Sequence, residues 1–196
     1  MKQKAFTLAE VLVTLAIIGV VAAISVPTLI SSTNNQGNIV AFKKNWAMMS
    51  QLFEGIYNEN GGSLTGVCSL GAGTFRSGNC IRDLVTTNLK VIKKCDAGNY
   101  KNIYGQCWTA EGVQLNSSGA VVPTDPSQGV AGFILNDGSM YKIYWFPNSH
   151  GGILVDVNGM KAPNQNNKDI FLYQIKMDSL ILWDFNDSKS TEAIQK

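Results

Sequence analysis

The sequence predicts an α+β fold in which a long N-terminal helix, apolar at first and amphipathic later, packs on an antiparallel sheet of about four to five strands. Three observations carry this expectation. Residues 6–30 read FTLAEVLVTLAIIGVVAAISVPTLI, a run whose one ionisable side chain is Glu10. Further on, Ile39, Phe42, Trp46, Met49, Phe53 and Ile56 recur at alternating spacings of three and four, the period of a single helix face. Late in the chain, short β-branched and aromatic segments alternate with turn residues. A length of 196 residues is room for one domain with a separate segment. Charged residues make up 15% of the chain, below the roughly 25% usual for soluble domains, so part of it is expected to meet something other than water.

The first element is the apolar run. As a helix rising about 1.5 Å per residue it is long enough to cross a hydrocarbon core of about 30 Å. Ahead of it stand Lys2 and Lys4, which the positive-inside rule keeps on the cytoplasmic side, so that the rest of the chain faces outward. A conventional secretory signal has an apolar region of about 7 to 15 residues and a small-residue cleavage site. Ala23-Ile24-Ser25 offers such a site, but the apolar run is longer than that and continues past it. A plain membrane anchor explains the length and leaves Glu10 unexplained, because a carboxylate in lipid costs a few kcal/mol unless a cation meets it.

Residues 4–15, KAFTLAEVLVTL, resemble the prepilin-type signal of type IV pilins and of the pseudopilins of type II secretion and DNA uptake. The resemblance covers the first 25 to 30 residues. It implies that a membrane aspartic peptidase removes residues 1–5 by cutting between Ala5 and Phe6, Ala5 standing where the family usually has Gly. It further implies N-methylation of the new N-terminal Phe6, and pairing of Glu10 with the N-terminal amine of a neighbouring subunit. Gly19 and Pro27 fall where the family often places a helix-loosening Gly and Pro. The partners implied are the prepilin peptidase and methyltransferase, other pilin or pseudopilin subunits, and membrane lipid. The implied place is the inner membrane with an extracytoplasmic head, then a filament.

Residues 31–60 are expected to continue the helix. The polar stretch SSTNNQGN interrupts the apolar pattern, and Gly37 weakens a helix by about 1 kcal/mol relative to Ala. After it the stripe from Ile39 to Ile56 is expected to pack on the protein's own sheet, with a partner coiled coil as the alternative. Asn60-Gly61-Gly62 ends the helix. Residues 61–196 then form the head.

Residues 61–128 read as an irregular connection rich in Gly, Asn, Ser and Thr, with a short apolar run near residues 81–91. It holds all four cysteines, Cys68, Cys80, Cys95 and Cys107, and an even count suits an oxidising compartment. Three pairings are possible. Cys68 with Cys80 and Cys95 with Cys107 is favoured because each closes a short loop. The same stretch is locally basic: Arg76, Arg82, Lys90, Lys93, Lys94 and Lys101 stand against Asp83 and Asp96. That is either a solvated face or a contact for DNA or for an acidic neighbouring subunit. The whole-chain charge of +2 does not by itself mark a nucleic-acid binder.

Strands are expected at residues 130–135, 139–146, 153–157, 171–177 and 180–185, within a sheet region of residues 129–185. Asn136-Asp137-Gly138 predicts a hairpin between the first two, with a type I′ turn at Asp-Gly. The alternation of Met140, Lys142, Tyr144 and Phe146 with Tyr141, Ile143 and Trp145 predicts a sheet with one covered face. Residues 186–196 read as a loose tail.

Chemistry-bearing motifs are few. His150 is the one histidine, and no Gly-x-Ser-x-Gly, HExxH or phosphate-binding loop occurs. Ser139-Met140-Tyr141-Lys142 matches Ser-x-x-Lys but lies in a predicted strand without companion motifs, so no enzyme is expected. Asp156, Asn158, Asn164 and Asp169 can supply carboxylate and amide oxygens of the kind calcium prefers, and some pseudopilins are similar in fixing a C-terminal loop with calcium. The alternative is a pair of turns in which Asp and Asn bond their own backbone. The function expected is that of a pilin, minor pilin or pseudopilin. A DNA-binding minor pilin for uptake and a secreted binding protein or enzyme with an unusual signal are the alternatives.

Overall fold

The structure is a computed structural model that describes residues 7–68, 75–98, 103–108, 130–146, 150–161 and 164–183. The leader residues 1–5, the cleavage position at Ala5 and Phe6, Lys101, residues 109–128 and the tail 186–196 lie outside the described residues. Two compact units are present, Met1–Gly37 and Asn38–Lys196.

The chain begins with α1, Leu8–Glu59. Thr7 caps it: Glu10 N–H donates to Thr7 Oγ1 at 3.3 Å, while Thr7 N–H and Oγ1 both donate to Glu10 Oε2 at 2.8 Å. This reciprocal capping box satisfies helix N–H groups that have no partner in the helix ladder. The helix runs through Pro27 and through the polar stretch that interrupts the apolar pattern. Asn60, Gly61 and Gly62 terminate it as expected, with Gly61 and Gly62 at φ of 72° and 86° and Gly62 N–H bonded to Tyr57 O at 2.7 Å.

In the second unit, two helices cover one face of a six-stranded antiparallel sheet whose order follows the chain, β1 to β6. The strands are β1 (Val91–Cys95), β2 (Ala131–Leu135), β3 (Met140–Phe146), β4 (His150–Asp156), β5 (Ile170–Ile175) and β6 (Leu180–Trp183). The second helix, α2, spans Phe75–Thr86. Met49, Phe53 and Ile56 of the predicted stripe are buried, and Phe42 and Trp46 pack partly buried against the same core. Phe42 stacks on Phe171 at 4.1 Å, and Trp46 lies 5.3 Å from Tyr173. Ile39, the first position of the stripe, is 52% exposed. The inner face of the sheet supplies Phe133, Tyr141, Ile143, Trp145, Ile153, Val155, Tyr173 and Ile175, all buried, as period-two alternation requires.

Four expectations need correction. The sheet has six strands because residues 61–128, read as irregular, contain both α2 and β1. Helix α2 is built from poor helix formers, Ser77, Gly78 and Asn79, and is held by burying Ile81 and Val85 on its one apolar face. In β1 the Lys93-Lys94 pair and a register shift between Val91 and Lys93 hide the alternation. Strand β4 starts at His150, three residues before the expected start, because Gly151 and Gly152 are strand residues. An added Cβ at Gly151 would lie 2.6 Å from Trp145 Cε3 and 2.7 Å from Tyr144 O, and one at Gly152 would lie 2.5 Å from the Tyr144 ring. Close approach, and not a turn, explains these glycines.

The third correction concerns the β2–β3 hairpin, which has a three-residue connection closed by Leu135 N–H to Ser139 O at 3.0 Å. Gly138 alone there has positive φ, 88°, so the connection is not the type I′ turn that Asp-Gly suggested. Fourth, the sheet is covered on both faces. Cys95, Ile103, Cys107, Trp108, Val130, Ile134, Met140, Leu154, Ile170 and Leu172 form a second buried cluster on the outer face. Gly132 permits it: an added Cβ would sit 2.9 Å from Cys107 Cβ, so residues 103–108 lie directly on β2.

Candidate functional site

Three groups of residues were singled out by sequence, and the structure treats them differently. The first is the N-terminal helix. Leu8–Pro27 is 20 residues long with a mean hydropathy of 2.4, and none of that window is buried within the chain. Leu12, Val13, Leu15, Ile17, Ile18, Val20 and Val21 are each more than half exposed, so the apolar surface runs round the whole helix. Such a helix needs lipid or other helices around it. Gly19 lies within it with open space where a Cβ would stand, and Pro27 closes the apolar stretch without ending α1. The capping box of Thr7 and Glu10 is a feature that reasoning from apolarity passed over. Its signal, Thr-x-x-Glu ahead of an apolar run, is plain in Thr7-Leu8-Ala9-Glu10.

The second group is Asp156, Asn158, Asn164 and Asp169, which the structure brings together where β4 ends and β5 begins. Both carboxylates are fully buried. Asp169 Oδ1 accepts from Gln165 N–H at 2.6 Å, and its Oδ2 accepts from Asn164 N–H at 2.8 Å and from Asn158 Nδ2 at 3.1 Å. Asp156 Oδ1 accepts from Asn158 N–H at 3.2 Å. Burial first, and the Asp169 carboxylate second, push the Asp156 carboxyl up to about 7. Asn158 Oδ1 is buried with no hydrogen bond. The Asn164 amide lies 3.1 Å from both Asp156 Oδ2 and Lys161 O, and its nitrogen can donate to both. With its oxygen turned that way, three oxygens would converge. Among the described residues no three His, Cys, Asp or Glu side chains gather as a metal cluster. Asn164 and Asn167 adopt positive φ, 49° and 59°, as the turn-forming asparagines of such loops do.

The third group, the basic stretch, is used within the head at two of its positions. Arg82 is 4% exposed and bonds Asp96 at 2.7 Å, Asp83 at 3.0 Å and Cys95 O at 2.9 Å, tying α2 to β1. Lys94 pairs with Asp83 at 3.1 Å. Lys90 and Lys93 are left exposed, and Lys101 and the Arg76 side chain fall outside the description.

The cysteines are bonded as Cys68–Cys80 and Cys95–Cys107. The second bond fastens residues 103–108 over the outer sheet face. Ser139 and Lys142 point to opposite sides of β3. Ser139 Oγ donates to Asp137 Oδ1 at 2.6 Å and lies 3.2 Å from Tyr141 Oη, whereas Lys142 Nζ donates to Tyr104 Oη at 2.6 Å. They form no Ser-Lys pair. His150 stands exposed at the start of β4.

A family model for the prokaryotic N-terminal methylation motif matches residues 1–26. That motif is the signal of type IV pilins and pseudopilins, and it falls on the apolar segment of α1. Comparison with curated proteins and with solved structures gave no match.

Proposed function

We propose that the chain is a subunit of a type IV pilus or type II secretion-like filament, cut between Ala5 and Phe6, methylated on Phe6, and assembled through its N-terminal helix. The observation that carries this reading is the methylation motif at residues 1–26, lying on a helix whose apolar surface is unburied over Leu8–Pro27. In the membrane that surface meets lipid. In a filament it meets the same surface of other subunits, while Glu10 meets the N-terminal amine of a neighbour, which makes a carboxylate tolerable among apolar side chains. Lys2 and Lys4 remain cytoplasmic until cleavage, and the head stands outside.

Mass spectrometry of the membrane-associated protein is expected to find a mature N-terminus at methylated Phe6. A terminus near Val26 would discard the assembly helix and refute the reading. Glu10→Val leaves cleavage intact and lowers filament incorporation; unchanged incorporation would remove Glu10 from the assembly mechanism. A DNA-binding subunit is the weaker reading, since Arg82 and Lys94 are engaged by Asp83 and Asp96.

Calcium is a second proposal, favoured by the convergence of Asp156, Asn158, Asn164 and Asp169 and by the bondless Asn158 Oδ1. Asp156, Asp169 and the two amide oxygens would hold the ion, and its charge would offset the repulsion of two buried carboxylates. Millimolar calcium is then expected to raise the melting temperature of the detergent-solubilised chain, and Asp156→Ala with Asp169→Ala to abolish the rise. An unchanged melting curve would leave a loop held by its own hydrogen bonds.

A further inference from the structure

The part of α1 within the second unit buries one face and leaves the opposite face bare. Val40, Lys43, Ala47, Gln51, Glu54 and Asn58 follow one another at spacings of three and four along that bare face, and all are exposed. Its charges are segregated: Lys43 stands toward the N-terminal end and Glu54 toward the C-terminal end. Eleven residues separate them, about three helical turns, so both project in nearly the same direction about 16 Å apart along the axis. Neither forms an ion pair within the chain among the described residues, whereas neighbouring Lys44 is held by Asp137 at 2.8 Å. Between them Ala47 is small enough to let another backbone approach.

Glu54 also lines a cleft of about 360 Å³, open to solvent, between α1 and the β5–β6 turn. Asp178 contributes a second exposed carboxylate, Trp46 and Tyr57 contribute ring surface, and Ser50 Oγ is buried there without a hydrogen bond. No lysine or arginine lines it. Two carboxylates beside aromatic rings form a receptor for an ammonium group. Lys43 is an ion-pair-free cation on the same helix face, one turn from the Trp46 end of the cleft and three turns from its own Glu54.

We propose that the cleft at Glu54 and Asp178 receives Lys43 of a second copy of this chain, displaced by about 16 Å along the helix axis. The contact is heterologous: each subunit gives Lys43 to one neighbour and accepts Lys43 from another, so the same step repeats as an open filament requires. It rests on the filament reading above and adds to it a partner, a register and the residues that set that register. Salt bridges left open in the single chain thereby close in the assembly, and their sign pattern disfavours an unshifted pairing, which would set Lys43 against Lys43 and Glu54 against Glu54.

Disulfide cross-linking tests the register, because all four native cysteines are already bonded and leave no competing thiol. Full-length chains carrying Lys43→Cys and full-length chains carrying Glu54→Cys are produced together in the native cells and oxidised. The expected product is a mixed 43–54 dimer, several-fold more abundant than the 43–43 or 54–54 dimers. A mixed dimer no more abundant than the twofold excess that random pairing gives, or no mixed dimer, would overturn the register. In parallel, Lys43→Glu and Glu54→Lys are each expected to lower filament incorporation several-fold, and the double reversal within one chain to restore it. Failure of the double reversal to rescue would also overturn the proposal. Filament incorporation of the unaltered chain separates the two levels: if it is present without the 43–54 cross-link, only the register falls; if it is absent, the filament reading falls with it.

Discussion

Lys142 is a cation on a face built for apolar contacts. It is 3% exposed, with its ammonium 2.6 Å from Tyr104 Oη and 4.8 Å from the centre of that ring, and burial lowers its pKa to about 8. In the unfolded chain a lysine titrates near 10.4. The unfolded state therefore binds more protons between about pH 8 and 10.4, and this residue makes stability rise with pH across that window. Tyr57, Tyr141 and Tyr173 act in the opposite sense above about pH 10, because burial raises their pKa values. The clean measurement is thus the difference between the parent and Lys142→Met in chemical denaturation at a series of pH values. The parent is expected to gain on the order of 3 kcal/mol relative to the variant from pH 8 to 10.4, and a flat difference would show that Lys142 is solvated. Sequence marks Lys142 as half of a Ser-x-x-Lys coincidence and as one position of a strand alternation that predicts a single covered face; its burial depends on Tyr104, which is distant in sequence and reaches it through the chain path fixed by Cys95–Cys107.

At the scale of elements, β3 and β4 show how a pattern can be present and still be misread. Gly-Gly after His150 has the composition of a turn, yet both glycines are paired strand residues, Trp145 with Gly151 and Tyr144 with Gly152. The two are not equivalent. A Cβ at Gly151 would press on the Tyr144 carbonyl as well as the buried Trp145 indole, neither of which can withdraw without disturbing the sheet. At Gly152 it would meet the phenol end of Tyr144, which is part-exposed and can rotate. Gly151→Ala is therefore expected to destabilise by about 2 to 3 kcal/mol and Gly152→Ala by about 1 kcal/mol or less, measured by denaturant midpoint. Equal losses would contradict the proposed difference in relief. Helix α2 and strand β1 escaped detection for a related reason: Ser77, Gly78 and Asn79 favour turns in isolation, and the register shift in β1 breaks its period. Their formation depends on Ile81 and Val85 finding the sheet and on Arg82 bridging to Asp96 and Cys95 O.

For the molecule as a whole, the division at Gly37 separates a segment without a core from one that has its own. Leu8–Pro27 exposes apolar surface on all sides, so the full chain is expected to stay in the membrane fraction through alkaline carbonate washing, while a chain lacking residues 1–37 is expected in the soluble fraction. Recovery of the full chain in the carbonate supernatant would contradict membrane anchoring. Local order along the chain was enough to establish several features before any tertiary contact was known. The apolar run, the Ile39 to Ile56 stripe, the end of α1 at Asn60 to Gly62 and the strand alternation around Tyr141 to Trp145 each depend on neighbours within a turn or on adjacent strand positions. The Phe6 to Leu15 signal belongs with these, because leader, carboxylate and apolar helix are contiguous. Tertiary structure alone decided the rest: that the outer sheet face is also buried, that Gly132, Gly151 and Gly152 serve close approach, that Arg82 is spent inside the head, and that Asp156 and Asp169 face each other across a closed loop. These features join residues through packing between separate elements, and a pattern read along one dimension carries no term for what lies across the sheet.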